Sequence, residues 1–216
     1  MTTKGARAII LAGGEFRTPP PAVESALVIA ADSGYDHARN HDIAVDLLVG
    51  DLDSVSSDGL AHARQAGVEI EEHPVDKDST DLELAIRAAR KRRATTIDIY
   101  AGEGGRIGHL LSIALLIAGA EASSVPIVWH TASGDVQAAT SHRSVHLHGA
   151  AGQNVTVLPI GEAHGVTTSG LRWTLDDSSL TRGTSLGVSN ELSSTTATVE
   201  VSEGAVLVIL ETPEGT

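Results

Sequence analysis

Two carboxylates one residue apart, Asp51 and Asp53, close a short apolar run in the stretch Asp46-Leu-Leu-Val-Gly-Asp-Leu-Asp-Ser54. Leu47 to Val49 has the character of a strand buried in a parallel sheet, and Gly50 ends it. In extended chain, residues two apart project to one side, roughly 6.5–7 Å apart along the strand. Two acids on one side at a strand's C-terminal end, past a glycine that admits close approach, suit a hard divalent cation such as Mg²⁺. That edge of an open α/β sheet is also where ligands bind. Taken alone, the pair equally fits a turn that caps the next helix, because Asp is common in loops. Asp32, after an earlier apolar run, and Asp81, in the first turn of a later helix, should fall on the same edge. The four together predict an acidic metal cluster. Lys77 is then a cation beside it, suited to a phosphate or to a charge-balancing pair.

Gly102-Glu-Gly-Gly-Arg106 lies between a predicted strand and a predicted helix. Glycines at 104 and 105 let backbone N–H groups face an anion, the helix N-terminus adds positive potential, and Arg106 can grip an oxyanion with two hydrogen bonds. The segment lacks the GK[ST] of a Walker A loop. Gly13-Gly14, after the first strand, is a weaker candidate of the same kind, and His109 stands next to the glycine-arginine loop. An acidic Mg²⁺ cluster with such a loop points to phosphoryl chemistry on a nucleotide, where positioning and charge neutralisation supply most of the catalysis. His37 and His41 are four apart on a helix but carry no HExxH pattern, and no G-x-S-x-G elbow exists, so zinc and serine hydrolysis are not indicated. Downstream, Trp173 offers a stacking face for a ring, and Ser189 and Asn190 offer small oriented hydrogen bonds.

The elements that must place these residues alternate. Strands are expected at Ala8–Ala12, Leu27–Ala31, Leu47–Val49, Val68–Glu71, Thr96–Tyr100 and Ile127–His130. Helices are expected from Gly34 to about Asn40, Ser56 to Ala66, Thr80 to Arg93, and His109 to Ala120. Thr80 and Glu83 fit a capping box, and Arg90-Lys-Arg-Arg93 suits the far end of that helix. The last helix is apolar on nearly every side and is expected to be buried. This alternation implies an α/β open parallel sheet of Rossmann-like type. From about Ser133, Gly, Ser, Thr and Val dominate, and short strands at 155–160, 166–169, 197–201 and 205–210 suggest an all-β sandwich or barrel. The expected division is 1–140 as an α/β nucleotide- and Mg-binding catalytic domain and 141–216 as the β domain.

The chain of 216 residues is large enough for two such cores, and aromatics at 2% leave Ala, Val, Leu and Ile to build them. A formal net charge of −13 argues against a nucleic-acid or anionic-membrane partner. The absence of cysteine removes disulfides, thiolate metal sites and thiol nucleophiles. No run approaches the roughly 20 apolar residues of a membrane span, and none resembles a signal peptide, so a soluble cytoplasmic protein is expected.

Read in order, Ala31-Asp-Ser-Gly34, Gly50-Asp-Leu-Asp-Ser54, Lys77-Asp-Ser-Thr-Asp81, Gly104-Gly-Arg106 with His109, Ser169-Gly-Leu-Arg-Trp173 and Ser185-Leu-Gly-Val-Ser-Asn190 resemble the thiamine pyrophosphokinase family. The resemblance implies a homodimer binding thiamine and ATP with Mg²⁺, and transfer of diphosphate to thiamine with release of AMP. It implies that Asp32, Asp51, Asp53 and Asp81 hold Mg²⁺, with Asp51, Asp53, Asp81 and Lys77 catalytic. Gly13, Gly14, Asp32, Gly104, Gly105, Arg106 and His109 would meet the ATP phosphates, and Trp173, Ser189 and Asn190 would meet thiamine in a β-sandwich binding domain. The family usually has Asp-Gly-Gly-Ala-Asn where this chain reads Asp32-Ser-Gly-Tyr-Asp36, Asp where it has Gly108, and Asn where it has Ile113. Two other readings are a related pyrophosphokinase acting on a pterin-like alcohol and a non-catalytic thiamine- or nucleotide-binding module.

Overall fold

The structure, a computed structural model, describes residues 6–21, 23–119 and 125–213. The chain divides into two compact units, Met1–Ile113 and Ala114–Thr216.

In the first unit, strands β1 (Arg7–Leu11), β2 (Leu27–Ala31), β3 (Leu47–Gly50), β4 (Glu69–Glu72) and β5 (Thr96–Tyr100) lie in the order β5-β1-β2-β3-β4. Every pairing among them is parallel. Ile9, Ile10, Leu11, Ile29, Leu47, Leu48 and Ile99 are fully buried, as near-continuous apolar runs covered on both faces must be. Strand order reverses at β1, with β2 on one side and β5 on the other. That is the switch point beyond whose strand ends a crevice opens.

Helices α1 (Gly34–Asn40), α2 (Ser57–Ala66) and α3 (Asp81–Lys91) follow their strands. Ser56 caps α2 by accepting from Gly59 N at 2.9 Å, and Gly67 ends it at a φ of +71°. Thr80 caps α3 by accepting from Glu83 N at 3.2 Å. Glu83 Oε1 accepts from Arg87 at 2.6 Å. Leu82, Ala85, Ile86 and Ala89 form the buried stripe of α3.

Helix α4 (Ile107–Ala118) departs from expectation. Ile113 and Ile117 are buried, but Ile107 is 76% exposed and Leu111 and Leu115 are each 55% exposed. A helix apolar all round carries no signal for which stripe its own chain will cover, and here the chain covers only one. The expected end at Ala120 lies outside the described residues.

In the second unit, β6 (Ile127–Thr131), β7 (Gly134–Thr140), β9 (Asn154–Pro159), β12 (Asn190–Glu191) and β14 (Ala205–Glu211) run in the order β12-β9-β14-β7-β6. A second sheet has β8 (Val145–His148), β10 (Ala163–Ser169), β11 (Ser178–Leu180) and β13 (Thr196–Glu200) in the order β11-β10-β13-β8. All these pairings are antiparallel. Val155, Val157, Val206 and Val208 from one sheet share a core with Val145, Leu147, Val166 and Val199 from the other, which makes this unit a sandwich. Strands β7 and β8 occupy the stretch in which sequence texture marked only a change of domain. Their short apolar side chains (Val136, Ala138, Val145, Leu147) alternate too sparsely to stand out.

Candidate active site

The acidic residues are placed by the ends of β2 and β3 and the start of α3. Gly50 has a φ of +150°, and a Cβ built on it would sit 3.1 Å from Asp81 Oδ1 and 3.2 Å from Asp32 Cβ. The space a side chain would take at 50 is therefore held by two carboxylate residues. Extended geometry does not carry the chain from Asp51 to Asp53: Leu52 adopts a φ of +65° and turns its side chain into the core. Asp53 N donates to Asp51 Oδ1 at 3.3 Å, closing the turn. The two acids converge, but through a left-handed residue instead of strand alternation.

Asp32 also has positive φ, +48°, and its N–H donates to Val49 O at 2.9 Å, extending the β2–β3 pairing by one bond. It is buried, and its Oδ1 has no hydrogen-bond partner. Burial pushes its pKa above the ordinary carboxylate range; a hydrogen bond from Ser54 opposes this, and the charges of Asp81 and Asp53 add to it. Carboxylate oxygens of Asp32, Asp51 and Asp53 all lie within 4.8 Å of one another. Three carboxylates this close, one with an orphaned buried oxygen, form a convergent set of oxygen donors. Oxygen donors in this number fit a hard divalent ion.

Lys77 ties the remaining acid to this group. Its Nζ donates to Asp51 Oδ2 at 2.7 Å and lies 3.0 Å from Asp81 Oδ1. The Lys77 hydrogen bond holds Asp51 below the usual carboxylate pKa. Burial draws the Lys77 ammonium downward, but its bonds to Asp51 and Asp81 outweigh that and leave it raised. Asp81 thus stands beside the other three acids, paired to the lysine.

The two glycine segments meet across the ends of β1 and β5. Gly102 N donates to Gly13 O at 2.8 Å, and Glu15 N donates to Glu103 O at 2.8 Å. Gly14 has a φ of +91°, and a Cβ there would collide with the Glu103 carbonyl. The pairing of the two loops therefore requires glycine at 14. Beside them, Arg106 and His109 are exposed where α4 begins. A cleft of about 520 Å³ is lined by Gly13, Gly14, Asp32, Asp51, Asp53, Asp81, Gly105, Arg106 and His109. Lys77 and Gly104 are not among its lining residues. Ser33, Ser54, Thr80, Glu103 and Ser112 also line it. Sequence reasoning gave none of them a role in the site, because a single hydroxyl or a lone glutamate carries no distinguishing pattern.

The departures from the family pattern have structural readings. Asp36 accepts from Ser56 N at 2.8 Å and from Ser56 Oγ at 2.6 Å, fixing the start of α2. Buried Tyr35 meets His62 Nδ1 at 2.9 Å. Gly108 has open space where a Cβ would stand, and Ile113 lines the cleft.

In the second unit Trp173 is 53% exposed, with the Arg172 guanidinium 4.7 Å from its ring centroid. Asn190 is buried and uses its amide within the chain. Its Nδ2 donates to Trp173 O at 2.6 Å, and its Oδ1 accepts from Trp173 N at 3.1 Å and Glu191 N at 2.9 Å. Ser189 has a φ of +57°, and its N–H donates to Thr156 Oγ1 at 3.4 Å.

Comparison with known proteins follows the same two parts. The family described as "Thiamin pyrophosphokinase, catalytic domain" matches residues 22–129. "Thiamin pyrophosphokinase, vitamin B1 binding domain" matches residues 142–206. The chain is 26% identical over 209 residues to the thiamine pyrophosphokinase of Bacillus subtilis (strain 168), covering 94% of this chain and 97% of that protein. The crystal structure of thiamine pyrophosphokinase from B. subtilis aligns with a TM-score of 0.84 at 23% identity, covering 95% of this chain and 99% of the other. That of thiamin pyrophosphokinase from Geobacillus thermodenitrificans aligns at 0.83 and 22% identity, covering 97% and 99%. The structural likenesses establish the shared fold.

Proposed function

The chain belongs to the thiamine pyrophosphokinase family, and on that premise we propose how it acts as an ATP-dependent diphosphotransferase, converting thiamine and ATP to thiamine diphosphate and AMP. The hydroxyl oxygen of thiamine forms a bond to the β-phosphorus of ATP. The bond from that phosphorus to the α–β bridging oxygen breaks, and AMP leaves with that oxygen. The hydroxyl proton passes to a carboxylate of the acidic group, which must lie within hydrogen-bond reach of it.

One observation carries this reading: three carboxylate oxygens within 4.8 Å of one another, beside a lysine and a pair of glycine loops, at the switch point of a parallel sheet. Asp32, Asp51 and Asp53 would hold Mg²⁺, with Asp81 completing the acidic set. Bound there, the ion would neutralise charge on the triphosphate oxygens. Lys77 orients Asp51 and Asp81. Arg106, His109 and the backbone of Gly13, Gly14 and Gly105 bind the phosphates, while Gly104, outside the cleft lining, shapes the loop. Trp173 and Ser189 contact thiamine, and Asn190 fixes the backbone that carries Trp173. The proposed division of labour assigns catalysis to 1–140 and thiamine recognition to 141–216, with β6 and β7 pairing into the sheet of the second unit.

Homodimerisation belongs to the same proposal, supported by the apolar side chains α4 leaves exposed. So does a cytoplasmic setting, and so does the exclusion of nucleic-acid and anionic-membrane partners, which the net charge of −13 supports. Among the described residues, no helix is long and apolar enough to cross a membrane. A pterin-like acceptor is not favoured, since a vitamin B1 binding domain is matched over 142–206.

The test is incubation with ATP, Mg²⁺ and either thiamine or a pterin alcohol, with products separated by chromatography. Thiamine diphosphate and AMP in equal amounts are expected with thiamine alone. ADP as the nucleotide product, or no turnover, would overturn the assignment.

A further inference from the structure

The Gly13-Gly14 turn is held from a direction that neither the acidic cluster nor its partner loop accounts for. His37, on α1, places Nε2 2.8 Å from Gly14 O. A carbonyl only accepts, so Nε2 carries the proton of this bond. The imidazole is itself fixed. Phe16 stacks on it with ring centroids 5.2 Å apart and planes 12° apart, and Phe16 also meets His41 edge-on at 4.9 Å. Phe16 in turn packs against the core cluster of Ile9, Leu11 and Val28.

The chemistry of an anion-binding turn gives this bond a purpose. Such a turn works only if its N–H groups face the anion and its carbonyls face away. Here Gly13 O is taken by Gly102 N, Glu103 O by Glu15 N, and Gly14 O by His37. Gly14 is the one of these carbonyls whose restraint comes from a side chain. The same peptide plane carries Glu15 N, whose bond to Glu103 O at 2.8 Å holds its opposite edge, so His37 is the second of two restraints on it. Without His37 that one bond would hold the peptide alone, and the Gly14 carbonyl would gain freedom to tilt its partial negative charge toward a polyphosphate.

We propose that His37 is a positioning residue for the nucleotide, acting through the Gly14 carbonyl to keep the Gly13-Gly14 turn in its anion-accepting form. This rests on the assignment of the cleft to ATP made above. His37 is not among the residues lining the cleft, so it acts through the backbone and touches no reacting atom.

Two substitutions separate the hydrogen bond from the stacking. His37→Phe keeps a ring against Phe16 but removes the donor, whereas His37→Gln restores an N–H donor at similar reach without the ring. Steady-state kinetics with both substrates, and melting temperatures, are measured for wild type and each variant. His37→Phe should raise KM for ATP at least fivefold with KM for thiamine within twofold of wild type. His37→Gln should recover most of that loss even if its melting temperature falls further. An unchanged KM for ATP in His37→Phe overturns the proposal, as does a loss that tracks melting temperature across both variants, since that is packing alone. If wild type makes no thiamine diphosphate, the reaction assignment fails instead. Calorimetric binding of ATP with Mg²⁺ to the same three proteins then decides the role of His37 by the same comparison.

Discussion

Asp53 is the most exposed member of the acidic group, and its hydrogen bonds stay local, to Ser54 and within its own turn. Its removal should therefore be felt in chemistry and hardly in folding. Asp53→Asn is expected to lower kcat by at least about 10²-fold, the scale of losing one preorganised electrostatic contact. The metal-free melting temperature should stay within about 2 °C, while the rise that Mg²⁺ gives wild type shrinks or disappears. Thermal scans with and without Mg²⁺ check both halves. Lys77 gives a pH signature. The folded pKa of Asp51 is depressed, so its stabilisation is present above the unfolded value, about 3.9, and is lost as pH falls through the folded one. The folded pKa of Lys77 is raised, so its stabilisation is present below the unfolded value, about 10.4, and is lost as pH rises through the folded one. Lys77→Met should accordingly melt below wild type across the plateau between these limits. The gap should narrow below about pH 4 and above about pH 10.5, as scans across pH would record.

At the scale of elements, the ends of β2 and β3 carry acids and those of β1 and β5 carry glycine loops, and helix α3 shows how local stability and site geometry are joined. Its cap, Thr80, precedes Asp81, so the bond that starts the helix also fixes where an acidic side chain emerges. Thr80→Ala should cost about 1 kcal/mol of unfolding free energy, the usual worth of a lost N-cap, measured by urea denaturation. Turnover should fall as well, because Asp81 and its bond to Lys77 lose their anchor. Unchanged turnover with reduced stability would separate the cap from the site. In the sandwich the comparable device is Asn190, whose amide accepts from the Trp173 N–H and donates to the Trp173 carbonyl and so holds an exposed indole in place.

At the scale of the whole molecule, the excess of negative charge and the acidic cleft oppose the approach of a polyphosphate. In the proposed chemistry, Mg²⁺ held by the acidic group would offset that repulsion together with Lys77 and Arg106. Exposed Ile107, Leu111 and Leu115 on α4 form a stripe at helical spacing. If this stripe is the dimer contact, Leu111→Glu should shift sedimentation from a dimer to a monomer. A dimer that survives the charge places the contact elsewhere.

Much of the first unit was legible from residue order, because the information is local. Apolar runs of strand length, the Thr80 cap, the glycine at 67 and the apolar stripe of α3 each declare themselves within a few positions. The acids at 32, 51, 53 and 81 could be assigned to one edge because a parallel sheet puts all its strand C-termini there. What the sequence could not carry was the means and the partners. Left-handed Asp32 and Leu52 bring the carboxylates together by backbone conformations that side-chain pattern does not encode in a non-glycine residue. The outward stripe of α4 was hidden, since uniform apolarity has no direction. His37 and Asn190 acquire their roles only when a distant backbone group arrives beside them, Gly14 in one case and Trp173 in the other. Local periodicity determined which elements form; the folded packing of segments far apart in the chain decided which polar groups meet.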